Sequence, residues 1–214
     1  MKLYFVRHGK TQWNEEGRFQ GANGDSPLLE SSLDEIAQLG DYLADINFDV
    51  VFSSDLKRAF DTAEIIIKHN HFSNTLIQTP KLREWQLGKL EGEKISTASA
   101  IYSKQMEAFR HNLAKFNSNL FEAESVYKTT HRVKELIDSL KNKHYKNVLI
   151  IGHGANLTAS IRSLLGFEPG HLRDKGGLDN ASLTILETTD CESFNCLLWN
   201  DKSYLEDTID INPT

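Results

Sequence analysis

The sequence is poor in cysteine, with only Cys191 and Cys196 among its 214 residues. These two stand close together near the end of the chain, and no second pair is present to complete a zinc site. A chain of this length can bury a full hydrophobic core without disulfides or structural metals. We therefore expect both cysteines to be reduced thiols with a structural role.

Long apolar runs and excess positive charge are also absent. No segment approaches the roughly 18 apolar residues of a membrane span, and Lys2 leads directly into a short strand rather than a secretory leader. The net charge is −6 and the isoelectric point is near 5.8, which argues against a general nucleic-acid or membrane-surface binder. We expect a cytoplasmic protein whose partner is a small molecule, with neither nucleic acid nor membrane involved.

Short apolar runs alternate with helical patterns along most of the chain. This order predicts a three-layer α/β/α sandwich with a mostly parallel central sheet. The length predicts one domain over 1–214, with a helical lid inserted at about 93–121. The exposed edges of the last two strands would be covered in a homodimer. The predicted strands stand at 2–6, 48–54, 75–82, 147–154, 181–188 and 194–201.

The helical patterns predict which side chains face the core. Between the first two strands, Leu33, Ile36 and Leu39 recur at helical spacing. In the lid we expect four apolar side chains to pack on the core and the lid cations to be solvated. The alternative is that those cations read the substrate. The apolar set is Ile101, Met106, Phe109 and Leu113, and the cations are Lys104, Arg110, His111 and Lys115.

Charged and imidazole side chains follow the predicted strands at the points where they end. Arg7 and His8 close the first strand, His153 closes the 147–154 run, and Arg58 begins the helix after the second strand. Glu84 lies in the loop after the third. Ligands of such sheets bind outside the carboxyl ends of the strands. These five side chains are therefore expected to converge.

Two chemistries could use this set of residues. His8, His153 and Glu84 could ligate a catalytic metal, but two neighbouring guanidiniums would repel a cation. The same guanidiniums match phosphate oxygens well. A neutral histidine is a competent nucleophile, and a carboxylic acid can protonate the leaving oxygen. The residues therefore favour phosphoryl transfer through histidine, without a metal or other cofactor.

The motifs that carry these residues resemble those of the histidine phosphatase superfamily, which has the phosphoglycerate mutase-like fold. Four matching blocks in the right order, with compatible spacing, are together a specific signal. The resemblance extends from the N-terminus to about residue 166. The blocks are "RHGKTQWN" (7–14) with "GRFQG" (17–21), "VVFSSDLKRAFDTAEII" (50–66), "LREWQLGKLEG" (82–92) and "VLIIGHG" (148–154).

The resemblance implies a role for each residue of the site. His8 would be the phosphorylated nucleophile, and Glu84 would be the acid and then the base for water. Arg7, Arg58 and His153 would line the phosphate pocket. The residues expected to bind substrate are Thr11, Asn14, Gln20, Gly21 and Gly154.

The segment after Glu84 departs from the mutase pattern. Phosphoglycerate mutases resemble Glu-Arg-His-Tyr-Gly there, whereas this chain has "EWQLG" over 84–88. The cation and tyrosine that help a mutase retain a second phosphate are missing, so we expect hydrolysis of a small phosphomonoester. A phosphoglycerate mutase is the alternative. A non-catalytic phospho-ligand binder is disfavoured, because such a protein does not need Glu84.

Overall fold

A six-stranded sheet forms the centre of the computed structural model, which describes residues 1–208. The strand order is β3-β2-β4-β1-β5-β6; β1 to β4 are parallel, and β5 pairs antiparallel with both β1 and β6. This confirms the predicted mostly parallel sheet. The end of the predicted domain, at residue 214, lies outside the described residues. The strands are β1 (Lys2–Arg7), β2 (Val50–Ser54), β3 (Leu76–Thr79), β4 (Asn147–Gly152), β5 (Leu183–Glu187) and β6 (Asn195–Asp201).

Helices cover both faces of this sheet. On β1, Leu3 and Phe5 join one apolar cluster and Tyr4 and Val6 join another, because successive side chains of a strand point to opposite faces. The first cluster is completed by α6 and α7 and the second by α2 and α3, which confirms the three layers. The helices are α1 (Gln12–Glu15), α2 (Glu30–Tyr42), α3 (Lys57–His69), α4 (Ile95–Ile101), α5 (Ser103–His111), α6 (Val126–Asp138) and α7 (Gly154–Leu164).

Several details of the predicted elements differ from the structure, and two of them have a clear physical reason. The strand expected over 75–82 ends at Thr79, because Pro80 has no N–H for the sheet and begins a 3₁₀ turn. On α2, Ile36 and Leu39 are buried as predicted, but Leu33 is 39% exposed. Leu33 lies at the margin of the buried stripe.

The lid packs as a small apolar layer of its own. Met106, Phe109 and Leu113 are buried as predicted, in a cluster that also holds Trp85. The prediction for Ile101 is wrong, since 65% of this residue is exposed. It ends α4, and the non-helical backbone of the next residue separates it from the face that α5 buries.

Both cysteines are free thiols; Cys191 is buried and Cys196 is exposed. β6 forms an edge of the sheet, and the homodimer remains a prediction. Within residues 1–208, no helix combines the length and apolar character needed to cross a membrane.

Candidate active site

The two predicted histidines lie side by side because their strands are neighbours. In the parallel pairing of β1 with β4, Arg7 stands opposite Gly152, so His8 and His153 follow at the same edge. Their ring centres are 5.1 Å apart, and each residue is at most 3% exposed. β2 lies on the other side of β4 and brings Arg58, in the first turn of α3, to the same edge.

The hydrogen bond of His8 fixes its tautomer. Its Nδ1 lies 2.7 Å from the carbonyl oxygen of Gly9. A carbonyl can only accept, so Nδ1 carries the proton and Nε2 has a free lone pair in the neutral ring. Burial, together with the charges of Arg58 and Arg7, holds the pKa of His8 well below its ordinary value. His8 is therefore a neutral ring with an available nucleophilic nitrogen.

His153 is the more deeply buried of the two rings. Its Nε2 lies 2.8 Å from the Ser54 hydroxyl, and its Nδ1 is buried with no hydrogen-bond partner in the described part of the chain. Burial and the charge of Arg58 lower the pKa of His153 well below its usual value. If Ser54 donates to Nε2, the ring proton lies on Nδ1. That N–H is then available to an oxygen of the substrate.

Arg58 is fixed in place by the loop that follows α1. It is 1% exposed. Its Nη1 donates to the Gly24 carbonyl (2.7 Å) and to Oδ1 of Asp25 (3.0 Å), and its Nη2 donates to the Gly21 carbonyl (3.0 Å). Its buried Nε–H has no partner within residues 1–208. The guanidinium is thus held rigidly, and its Nε–H stays available to an anion.

Arg7 is held from the opposite side of the site. Its Nη1 donates to the Leu178 carbonyl at 2.5 Å, and its buried Nε–H is unpaired among the described residues. Burial lowers the pKa of Arg7, opposed by the charge of Glu84. A Cβ on Gly154 would lie 2.9 Å from the Arg7 guanidinium carbon. Gly154 thus makes room for Arg7, and it also lines the pocket beside the site.

Glu84 caps the N-terminus of α7. Its Oε1 accepts the N–H groups of Trp85 and Asn156, both at 2.7 Å, and its Oε2 accepts the N–H of Ala155 at 2.9 Å. The partial positive charge of a helix N-terminus favours a carboxylate there. Oε1 has two donors and Oε2 has one. Oε1 is therefore held by the backbone, whereas Oε2 has room to bind a proton.

Asn14 is oriented so that its amide can donate to a ligand. Its Oδ1 accepts the Thr11 N–H and the Asn180 Nδ2, each at 3.2 Å. Both partners are donors, so the oxygen must face them and Nδ2 is left free. Asn14 lines the pocket beside the site.

The other predicted substrate residues mostly support the loop. Thr11 is fully buried, accepts the Asn14 N–H as the N-cap of α1 and donates to Oε1 of Gln20 at 2.7 Å. Gln20 lines the pocket, and its Nε2 donates to Ser26 at 3.0 Å. Gly21 offers its carbonyl to Arg58. Because buried polar groups are normally paired, these bonds account for Thr11 and Gly21 without a substrate.

A pocket of about 200 Å³ lies beside the group of five central side chains, and two of the five line it. Arg7 and Glu84 line one part of it, and Ile95 and Phe109 of the lid line another. His8, Arg58 and His153 are not among its lining residues and are buried beyond them. The lid cations are exposed and do not line it, which confirms the solvated interpretation.

Two residues at this site were not predicted from the sequence. Asn180 donates its Nδ2 to the carbonyls of His8 (3.1 Å) and Gly9 (3.2 Å). Arg173 lines the pocket and is 9% exposed, and burial lowers its pKa to about 10. Both lie beyond residue 166, where the motif resemblance ends. The segment "HLRDKGGLDN" (171–180) is polar and glycine-containing, as surface loops are.

The same geometry bears on the alternative that His8, His153 and Glu84 bind a metal ion. In the described range, no three side chains of His, Cys, Asp or Glu form a group that could hold a metal ion. The oxygens of Glu84 are turned to backbone N–H groups, and Nδ1 of His8 is bonded to a carbonyl.

Comparisons with known proteins find relatives that match most of the chain. The family model described as "Histidine phosphatase superfamily (branch 1)" matches residues 3–202. The protein named "Probable phosphoglycerate mutase GpmB" of Erwinia tasmaniensis is 30% identical over 190 residues, covering 87% of this chain and 85% of that protein. The "Broad-specificity phosphatase YOR283W" of Saccharomyces cerevisiae is also 30% identical over 190 residues, covering 87% and 79%. The solved structure of Bacillus stearothermophilus YhfR has a TM-score of 0.84 at 27% identity, covering 95% of this chain and 98% of that one.

Proposed function

Because the chain belongs to the histidine phosphatase superfamily, we propose that it is a metal-independent phosphatase that hydrolyses a small phosphomonoester. The observation that carries the proposal is the state of His8. Its ring is buried and neutral, with Nδ1 bonded to a carbonyl and Nε2 free. It stands among two arginines that each keep an unpaired N–H. A neutral nucleophile in a cationic pocket suits attack on a phosphoryl group.

In the first step, Nε2 of His8 bonds to phosphorus and the bond from phosphorus to the ester oxygen breaks. Glu84 gives its proton, held on Oε2, to the departing oxygen. In this mechanism, the charge on the three transferring oxygens is stabilised by N–H donors that the fold holds in place before the reaction. These groups are the N–H donors of Arg7, Arg58, Asn14 and His153.

In the second step, the phosphohistidine is hydrolysed. Glu84, now a carboxylate, takes a proton from water as the water oxygen bonds to phosphorus. The bond from phosphorus to Nε2 breaks, which releases phosphate and returns His8 to its neutral form. The hydrogen bond from Nδ1 to Gly9 keeps the ring in the same orientation through both steps.

Hydrolysis is favoured over mutase chemistry by the segment after Glu84. Trp85 is fully buried, donates its Nε1 to the Glu124 carbonyl at 2.6 Å and packs on Phe109 of the lid. Gln86 is exposed. Neither position supplies a cation to a second phosphate.

Phosphoglycerate mutase activity is the second candidate. The Erwinia relative is named as a probable phosphoglycerate mutase, which favours this activity. Arg18 and Arg173 also favour it, because they add positive charge to the pocket. A coupled assay with 3-phosphoglycerate and a trace of 2,3-bisphosphoglycerate separates the two. If 3-phosphoglycerate is isomerised faster than phosphate is released from it, the protein is a mutase and the phosphatase proposal is wrong.

The central experiment measures hydrolysis of p-nitrophenyl phosphate and a panel of small phosphate esters with a chelator present. We expect turnover to persist in chelator, to vanish in His8→Ala and to fall by about 10²–10⁴ in Glu84→Gln, the range of general acid catalysis. His131→Ala, which changes an exposed histidine on α6, is the matched control. Turnover retained in His8→Ala, or lost to chelator and restored by zinc, would overturn the mechanism.

A further inference from the structure

We infer that Arg173 forms a second anion subsite, which binds a carboxylate or a second phosphate on the part of the substrate that is not transferred. This inference rests on the proposed function and narrows it. It makes the substrate a short phosphomonoester with a second negative group a few atoms from the ester oxygen.

The first observation is that the guanidinium of Arg173 is buried without a hydrogen-bonded or ion-paired partner, and only the more distant charge of Glu84 favours it. Its Nε and Nη2 are buried, and its side chain makes no hydrogen bond or ion pair within the described residues. The contact that it does make is with the face of Phe109, whose ring centre is 5.0 Å from the guanidinium carbon. A buried guanidinium whose N–H groups are unpaired is costly to a fold. A ligand that pairs with this charge would remove that cost.

The second observation is the direction in which a partner can lie. Arg173 shares the pocket with Arg7 and Glu84. Glu84 attracts the charge of Arg173, but it makes no ion pair with Arg173 among residues 1–208, and its oxygens already accept three backbone N–H groups. Arg7 is positively charged like Arg173 and therefore cannot be its partner. The pocket itself is therefore the place from which an anion can reach the guanidinium.

The third observation separates Arg173 from the neighbouring cation. Arg18 also lines the pocket, but its Nε pairs with Glu16 and its Nη1 donates to the Gly92 carbonyl. Arg18 is thus already paired, whereas Arg173 is not. The planar fork of an arginine matches carboxylate and phosphate oxygens in a bidentate manner. A volume of about 200 Å³ suits a ligand of a few carbon atoms.

The test compares two esters with the same three-carbon skeleton. 3-Phosphoglycerate carries a carboxylate where glycerol 3-phosphate carries a hydroxymethyl group. We expect kcat/KM to be at least about tenfold higher for 3-phosphoglycerate, and Arg173→Met to lower that value by about 10- to 100-fold, as the loss of a charge-assisted hydrogen bond does. In the same variant, kcat/KM for glycerol 3-phosphate should stay within about threefold of the wild-type value. Propane-1,3-diol bisphosphate, tested alongside, shows whether phosphate serves as well as carboxylate.

Two variants control for charge and for folding. Lys175→Met removes an exposed cation of the same loop and should leave the ratio of the two esters unchanged. Arg173→Lys keeps the charge but not the planar fork, so its ratio of kcat/KM for the two esters should lie between those of the wild type and Arg173→Met. If the methionine variant does not fold, the lysine variant is used for the test. Equal losses on both esters, or no preference in the wild type, would overturn the subsite.

Binding separates this inference from the proposed function. Calorimetry with His8→Ala measures the affinity for the same two esters without turnover. Tighter binding of 3-phosphoglycerate that disappears when Arg173→Met is added supports the subsite even if the wild type hydrolyses neither ester. Equal affinities for the two esters overturn it, whatever the wild type hydrolyses.

Discussion

At the scale of single residues, the site is defined by where its protons lie. Gly9 holds the proton of His8 on Nδ1. Ser54 is the corresponding partner of His153 on the other ring nitrogen, at 2.8 Å. In the proposed mechanism the two histidines therefore have opposite roles, since His8 attacks through Nε2 and His153 donates through Nδ1.

Ser54→Ala tests the assignment of His153. Without the hydroxyl, nothing holds the proton on Nδ1, and we expect kcat to fall by about 100-fold, the lower end of the cost of losing one donor at a charged transition state. Ser54→Thr keeps the hydroxyl and should restore most of the rate. Ring ¹⁵N chemical shifts report the tautomer directly and should change for His153 in the alanine variant.

The neighbouring Ser53 provides the matched control for this prediction. It is also fully buried, and its hydroxyl donates to the Ser54 carbonyl at 2.8 Å. Ser53→Ala should affect stability without changing the tautomer of His153. If Ser54→Ala shows unchanged ring shifts, or loses no more activity than Ser53→Ala, the hydroxyl does not set the tautomer.

The strand ends could be predicted at this scale, but the partners on later loops could not. His8 and His153 stand out because imidazoles directly follow apolar runs. Arg173 and Asn180 follow no such run, and nothing local marks them. Their roles arise from a loop that returns to the site after α7, and this return depends on the tertiary fold.

At the scale of elements, helix α6 fixes the loop that carries Glu84. Arg132 on this helix donates to both carboxylate oxygens of Glu124 at 2.9 Å and to the Lys81 carbonyl at 2.8 Å. Glu124 is 7% exposed. The pair thus ties α6 to the backbone just before Glu84, so Arg132 acts as a positioning residue.

Arg132→Met should loosen this loop. It leaves a buried carboxylate unpaired, so we expect the free energy of unfolding to fall by about 3 kcal/mol and kcat to fall more than KM rises. Denaturant unfolding and steady-state kinetics measure the two effects. Adding Glu124→Leu removes the unpaired charge and should recover part of the stability but not the activity.

The control on the same helix is Lys134→Met, which breaks an exposed ion pair with Asp138. Exposed pairs contribute little, so its effect should stay within about 0.5 kcal/mol. A loss of stability in Arg132→Met no larger than this would show that the pair does not hold the loop.

At the scale of the whole molecule, the layers could be predicted but the order of the strands could not. Alternating apolar runs and helical stripes lead directly to two helical layers around a sheet. No local pattern shows that β4 inserts between β2 and β1, although this insertion is what places His153 beside His8. The expectation that the two histidines converge came from the rule that ligands bind outside the carboxyl ends of the strands, and this rule does not give the order of the strands.

The buried histidines also affect the stability of the whole protein. In the folded state, the pKa values of His8 and His153 are lowered, chiefly by burial and then by the arginines. In the unfolded chain, both return to an ordinary value near 6.5. Below about pH 6.5 the unfolded state therefore binds more protons than the folded state. The free energy of unfolding should then fall with pH, by up to about 1.4 kcal/mol per pH unit for each histidine.

Denaturant unfolding at pH 7.5, 6.5 and 5.5 measures this slope, in buffers without phosphate because a bound anion would stabilise the folded state. We expect the free energy of unfolding of the wild type to fall by about 1–2 kcal/mol more between pH 6.5 and 5.5 than that of the double variant His8→Gln/His153→Gln. Carboxylates that titrate in this range are common to both proteins, so the difference isolates the two rings. Equal slopes would mean that the histidines are not held neutral, and the neutral nucleophile proposed for His8 would lose its basis.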